Sequence, residues 1–346
     1  MSESQKFLPV GKLPPELLAQ ILSAAPIQDE RLLVGPGIGL DCAVVDIGKN
    51  LLVFKSDPIT FTADEIGWYA VQINANDIAT SGAVPAWFLL TLLLPEGSTT
   101  PEMVEQTSQQ VHQACRQIGV SVIGGHSEIT SAVNQPVLMG TMIGEVSHEN
   151  LVTPRGAQPG DRLLLTKGVP IEAVSILARE FPDQLRNELN PGEIVAAQEY
   201  LYQPGISVLK DSQVAMKAGQ VNAMHDPTEG GLAAAMWELA TACGHDLWVD
   251  VQRISIPPLA ERICRVFEIN PLAAIASGAL LLTVPAKQAG STCRALEIEG
   301  IACSEIGKIK PGKGKVWIDQ GGKVSLLKYP ERDEIARVFE ASRGID

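Results

Sequence analysis

No window of the 346-residue chain keeps the roughly 18 apolar residues in a row that a membrane-spanning helix requires. Residues 1–12 carry no apolar core of the kind a signal peptide needs, so a cytoplasmic protein is expected. Positive charge is in short supply: 27 Lys and Arg face 40 Asp and Glu, a net charge of −13. That balance argues against nucleic acid or an anionic membrane as partner, because both are held by basic patches. It also means that a phosphate-bearing ligand needs a metal ion or a cluster of donors to offset repulsion. Cys42, Cys115, Cys243, Cys264, Cys293 and Cys303 include no Cys-x-x-Cys pair and are expected to be reduced interior thiols. The Gly-x-x-x-x-Gly-Lys-[Ser/Thr] phosphate loop is missing, and Gly35-Pro-Gly37-Ile-Gly39 departs from the dinucleotide fingerprint. Tandem repeats and low-complexity segments are lacking too.

What is present is the material of an ordered fold. Hydrophobic residues make up 45% and charged ones 19%, which excludes a disordered chain, and the length suggests two domains. Pro14-Pro15-Glu16 opens a helix to about residue 25. Leu40–Ile47 and Leu51–Lys55 read as strands joined by the short loop Gly48–Asn50. Such a hairpin puts Asp41, at the start of the first strand, and Asp57, at the end of its antiparallel partner, at one edge of the sheet.

Asp64 is expected to cap the helix that follows. An apolar run over 86–94 reads as a strand buried on both faces, then come a helix over 101–118 and a strand over 136–146. Residues 147–160, polar and rich in Pro and Gly, are a domain seam, which gives domains at 1–150 and 151–346. Beyond it a strand at 161–166 precedes helical patterns at 170–180, 191–202, 206–218 and 232–243. Strands alternating with long connections and also forming hairpins indicate an α+β fold.

The stretch Val71–Pro85 reads as the end of a buried helix that carries Asn74, Asn76 and Asp77 in an apolar setting. Asn74 and Asp77, three apart, share a helical face. Buried polar groups of this kind either bond nearby backbone or hold a cation, and the stretch alone leaves both open. Asp41, Asp57 and Asp77 at strand and helix ends suit Mg²⁺, which takes about six oxygens from a few carboxylates, waters and phosphates. Gly124-Gly125 allows close backbone approach to a phosphate. His126 is a phosphate contact, a general acid or base, or a structural histidine. In His225-Asp226-Pro-Thr-Glu229-Gly230-Gly231, Asp226 and Glu229 are placed to form a capping box for the next helix. That helix start is also a candidate anion site.

Taken in order, these motifs resemble a family. The glycine loop with Asp41, Ser56-Asp57, Asn74-x-Asn76-Asp77-Ile78-x-x-x-Gly82-Ala83-x-Pro85, Gly124–Glu128 and Asp226-Pro-Thr-x-Gly230-Gly231 look like the aminoimidazole ribonucleotide synthetase (PurM-like) superfamily. Its HypE-type hydrogenase maturation proteins share the Gly-Pro-Gly-x-Gly opening, and thiamine-monophosphate kinase and selenophosphate synthetase belong to it too. The resemblance implies a PurM-like, two-domain α+β architecture. An N-terminal mixed-sheet domain would contribute to a barrel across a homodimer interface. ATP is implied in the cleft between domains, with Mg²⁺ on Asp41, Asp57 and Asp77. Asn76, Gly124, Gly125 and His126 would line the phosphates, and Asp226, Gly230 and Gly231 would shape the second domain's edge.

His126 or Asp226 would handle protons in ATP-dependent activation of, or phosphoryl transfer to, a small acceptor. Departures qualify the likeness. HypE-type proteins end in Pro-Arg-Ile-Cys, whereas this chain ends Arg343-Gly-Ile-Asp346, so the dehydration carried on that cysteine lacks its thiol. A HypE-like maturation partner that binds nucleotide without this chemistry is the second expectation. Leu40 stands where relatives often carry an acid, and Cys42 is expected to be packed rather than reactive.

Overall fold

The structure, a computed structural model, describes residues 8, 11–60 and 64–343. Its first half is short β-branched and leucine-rich runs separated by turn residues, and these pair into a sheet. In chain order it supplies α1 (Pro15–Ser23), β1 (Leu32–Val34), β2 (Ala43–Asp46), β3 (Leu51–Ile59) and α2 (Ile66–Thr80). Then follow β4 (Val84–Pro95), α3 (Pro101–Ile118), β5 (Ser121–Thr130) and β6 (Val137–Val146). The six strands lie in the order β1-β2-β3-β6-β4-β5, antiparallel except for β4 and β5. β2 and β3 form the expected hairpin, with Ala43 opposite Phe54. Extending that register places Asp41 and Asp57 at the same end of the pair.

All 15 residues of α2 are buried. A helix without a solvent face belongs in the interior of a larger assembly. Here α2 lies on β3 and β6 and touches α3 and, from the second half, α7 (Leu209–Ala218). Asp64 does not cap it, contrary to expectation. Glu65 occupies the cap position in the left-handed region with no side-chain cap, while Asp64 accepts a 2.7 Å bond from Arg179 Nη1. β4 is likewise not buried on both faces. Phe88, Leu92 and Leu94 are buried, but Leu89, Leu90, Thr91 and Leu93 stay partly exposed. Their apolar character therefore reflects a surface this chain alone does not cover.

The second half builds a seven-stranded sheet in the order β13-β12-β9-β11-β7-β10-β8. Its strands are β7 (Arg162–Thr166), β8 (Ala223–His225), β9 (Asp246–Asp250), β10 (Leu281–Val284), β11 (Cys303–Lys310), β12 (Val316–Gln320) and β13 (Lys323–Leu326). The helices besides α7 are α4 (Ile171–Glu180), α5 (Pro182–Leu185), α6 (Pro191–Gln198), α8 (Gly231–Cys243), α9 (Pro258–Val266), α10 (Ala289–Ile298) and α11 (Glu334–Arg343). The hydrophobic core of the first half continues into α4, α6 and α9, so α2 sits between both halves.

One helix starts late for a visible reason. The periodicity over 206–218 yields a helix only from Leu209, because Asn76 of α2 binds the preceding backbone. Its Nδ2 donates to Ile206 O at 2.7 Å and its Oδ1 accepts from Val208 N at 2.8 Å.

Candidate active site

Lys55 and Asp57, two apart on β3, point to the same face of the sheet. The Lys55 ammonium lies 3.1 Å from Asp57 Oδ2 and 3.3 Å from Asp77 Oδ2 of α2. One turn of α2 earlier, Asn74 fixes the Asp57 backbone: its Oδ1 accepts from Asp57 N at 3.0 Å, and its Nδ2 donates to Asp57 O at 3.3 Å. Asp57 and Asp77 thus share one half-buried ammonium.

From the second half, the end of β8 brings His225 and Asp226 to the same place. The His225 ring bridges Asp41 Oδ2 (2.7 Å from Nδ1) and Glu238 Oε2 (2.8 Å from Nε2). Lys12 completes the line, with Nζ 3.6 Å from Glu238 Oε1. Ligand atoms of Asp41, His225 and Asp226 lie within 4.8 Å of one another.

The electrostatics sort these groups by what faces them. Burial disfavours charge on Asp41, but His225, Lys55 and Lys12 outweigh it and hold the carboxyl well below its usual range. His225, buried between two carboxylates, is raised well above an ordinary imidazole, the acids overcoming the cost of burial. Asp77 goes the other way: burial, with Asp226, Asp57 and Asp41 nearby, raises it well above an ordinary carboxyl despite Lys55. Asp226 is pushed up to about 6, by burial first and then by Asp41.

The donor set fits Mg²⁺. Neither oxygen of Asp226 accepts a hydrogen bond from another described residue, nor does Asp77 Oδ2 beyond its ion pair with Lys55. Buried carboxylate oxygens left without donors are what a hard, oxygen-seeking cation satisfies. Asp41, Asp77 and Asp226 are the residues that would hold it, with Asp57 beside them.

The remaining sequence candidates are placed elsewhere or engaged otherwise. Asn76 spends its amide on Ile206 and Val208, so it ties the two halves together. Gly124, Gly125 and His126 lie on β5, the edge strand. Asp57, Gly140, Leu90 and Gly125 form one cross-strand row, which sets Gly125 three strand spacings, about 14 Å, from Asp57. A Cβ on Gly125 would stand 1.8 Å from Leu90 O, so the glycine is required by β4. His126 is exposed, its Nε2 3.1 Å from Glu128.

The capping box is not formed. Gly230, at φ 78°, is the N-cap of α8, and its N–H goes to Asp333 Oδ2 at 2.6 Å, leaving Asp226 free for the site. Gly231 packs on the backbone, since a Cβ there would meet Ala274 O at 2.5 Å.

Lys55, His225, Glu238 and Lys12 are the site residues that sequence reasoning did not single out. Lys55 had a visible mark, as the one charge in the apolar run Leu51–Lys55. Cys42 is packed as expected, its Sγ donating to Asp77 O at 3.1 Å.

Beside Asp57 opens a cavity of about 270 Å³ between the halves, with Ile73, Tyr69, Glu172 and Ser277 in its walls. Two α+β halves meeting at a cleft lined by Asp57, Glu172 and Glu229 define a two-domain class of protein with a ligand-sized cavity at its seam. Residues 39–146 match the model of the AIR synthase related protein N-terminal domain, and residues 158–319 that of its C-terminal domain. The chain belongs to the AIR synthase related family and has its two-domain, PurM-like α+β fold.

It is 28% identical over 301 residues to a putative hydrogenase expression/formation protein of Methanocaldococcus jannaschii, covering 83% of each chain. To the selenide, water dikinase of Escherichia coli (strain K12) it is 27% identical over 259 residues, 73% of this chain and 71% of that one. The crystal structure of the hydrogenase maturation protein HypE in complex with ATP superposes with a TM-score of 0.68 at 22% identity, over 91% of this chain and 90% of that one. At that identity the likeness speaks for the fold.

Proposed function

We propose that this protein is an ATP- and Mg²⁺-dependent enzyme that phosphorylates or activates a small acceptor. The observation that carries the reading is the convergence of Asp41, Asp57, Asp77 and Asp226, from both halves, around the single ammonium of Lys55. A scaffold gains nothing from four acids gathered at one seam, Asp77 and Asp226 of them buried, whereas phosphoryl transfer requires preorganised charge. When bound, Mg²⁺ supplies the positive charge that offsets the phosphates and lets so acidic a protein accept ATP.

The chain's own residues have separable tasks in this reading. Asn74 fixes the Asp57 backbone, His225 orients Asp41, and the Lys55 ammonium holds the Asp57 and Asp77 carboxyls next to each other. The exposed β5 edge, with Ile123, Ile129 and Met139 uncovered nearby, suits a homodimer that closes the sheet. In that dimer Gly124, Gly125 and His126 would serve the partner's site rather than their own.

The kinship with a dikinase supports turnover. Kinship with a hydrogenase expression/formation protein supports a second reading, a maturation partner that binds nucleotide without turnover. ATP hydrolysis by the purified protein, with Mg²⁺ and a panel of acceptors, separates the two. Turnover that disappears in Asp77→Ala supports the enzyme. Tight ATP binding with no turnover on any acceptor supports the partner.

A further inference from the structure

The cavity beside Asp57 is not explained by a nucleotide and a metal alone. Its floor holds polar atoms whose polar neighbours among the described residues, Ser175 beside Tyr69 and Glu172 beside Ser277, are poorly placed to bond them. Tyr69 is 1% exposed and Ser277 0%, yet neither hydroxyl makes a hydrogen bond of ordinary geometry with a described residue. Glu172, 4% exposed, stands beside them, accepts the Ser277 N–H at 3.2 Å and has the Ser277 hydroxyl next to its carboxyl. Three buried polar side chains from α2, α4 and the 272–280 loop thus face one apolar chamber whose walls are Ile73, Ile176 and Ile275. Burying such groups without partners costs free energy, unless a ligand supplies the partners.

The signs of the lining groups define that ligand. Asp57, Glu172 and Glu229 face the cavity, and Lys12 is the one cation among its described lining residues, with Lys55 behind Asp57 at 3.1 Å. The Lys12 ammonium is drawn away, 3.6 Å from Glu238 and 3.4 Å from Thr228 Oγ1. An anion entering here meets three acids, whereas a donor-rich cation meets acceptors in an apolar sleeve. The Tyr69 phenol is raised by burial and stays a neutral hydroxyl. Burial pushes the Glu172 carboxyl up to about 7 against the opposing bonds from Ser277, as expected of an acid that faces no cation.

We propose that this chamber is the acceptor pocket and that it takes a small organic cation, an amine or amidine with a compact apolar body. Its charged nitrogen rests on Glu172 and its donors reach Ser277 and Tyr69, while the isoleucines enclose the apolar body. The assignment rests on the enzymatic reading above, because it is Asp57 at the mouth that turns a binding chamber into an acceptor site. The volume of about 270 Å³ limits the body to about one ring with a short substituent.

The test uses benzylamine and benzamidine as probes, with benzyl alcohol and benzoate as matched neutral and anionic controls. Binding to the full chain is read by ligand-observed NMR and thermal shift, with ATP and Mg²⁺ binding measured separately. The cations are expected to bind about tenfold or more tightly than the alcohol, as a charged hydrogen bond implies. Benzoate should not bind. Glu172→Gln is expected to erase the preference for the cations, and Ile275→Phe, which fills the chamber, to remove all binding. A thermal melt at pH 8 confirms that both variants fold.

Equal binding of benzyl alcohol or benzoate, unchanged cation affinity in Glu172→Gln, or no binding of any probe would overturn the proposal. Cation binding without ATP binding would instead sink the enzymatic reading and leave the pocket standing.

Discussion

The ammonium of Lys55 lies 3.3 Å from the Asp77 carboxylate, and Asp77 is 2% exposed. This pair links the first sheet to α2 at the point where Asp57, Asp41 and Asp226 also gather. Removing the lysine leaves several acids facing one another in a setting that cannot solvate them. Breaking a buried ion pair from one side typically costs about 3–5 kcal/mol. Lys55→Met is therefore expected to lose about that much stability in metal-free buffer. Mg²⁺ should return part of it, giving a larger rise in melting temperature than in the parent protein. Urea titrations with and without Mg²⁺ read both quantities, and equal Mg²⁺ effects in the two proteins would remove the acids from the metal site.

Asp226 offers the reverse case. Its two oxygens accept no hydrogen bond from another described residue, so in metal-free protein near neutral pH it is a buried charge without adequate partners. Asp226→Asn removes the charge at nearly constant volume. The variant is expected to be more stable than the parent by about 1 kcal/mol without Mg²⁺, to show no stabilisation by Mg²⁺, and to have no turnover. A variant that is less stable and still gains from Mg²⁺ would show that Asp226 is structural.

Asn76 joins the halves through two backbone groups of the segment before α7. Asn76→Ala leaves Ile206 O and Val208 N–H buried without their partner, at a cost of about 2–4 kcal/mol. Hydrogen exchange at the Val208 amide should quicken ahead of the α7 amides. If Val208 exchange is unchanged, another group holds that segment.

These outcomes also mark how far the sequence could be read. The acids were legible because charge in an apolar context is rare enough to notice, and hairpin geometry tied Asp41 to Asp57 before any coordinates. The end of β4 and the whole of α3 were equally legible, since periodicity and proline placement mark them. Three things were not. The partners of Lys55 were one, because a terminal lysine on an apolar run ordinarily reaches solvent and here the packing of α2 turns it onto Asp77.

The capping role read for Asp226 was wrong, because Asp followed by Pro-Thr-Glu has the spacing of a capping box that the fold does not use. Gly230 in a left-handed conformation, with Asp333 from 103 residues away, supplies the cap instead. The glycines at 125 and 231 are each also demanded by a neighbouring backbone that sequence does not locate. Long-range packing, not local propensity, decided all three.

The buried acid Glu172 gives a prediction in pH. Burial raises its carboxyl from 4.5 to about 7 in the folded chain. Between those values the folded protein keeps a proton that the unfolded chain has released. Stability therefore falls as pH rises through that window and levels off above it. The full effect is on the order of 3 kcal/mol at about 1.4 kcal/mol per pH unit. Glu172→Gln cannot ionise and should escape this loss, so it is expected to match or trail the parent at pH 5 and exceed it at pH 8. Asp333, likewise pushed up to about 7 by burial, remains in both proteins, so the variant keeps a reduced slope rather than none. Urea midpoints for parent and variant across pH 4.5–8 test this. Parallel curves would mean that Glu172 is ionised in the fold and already has a cationic partner.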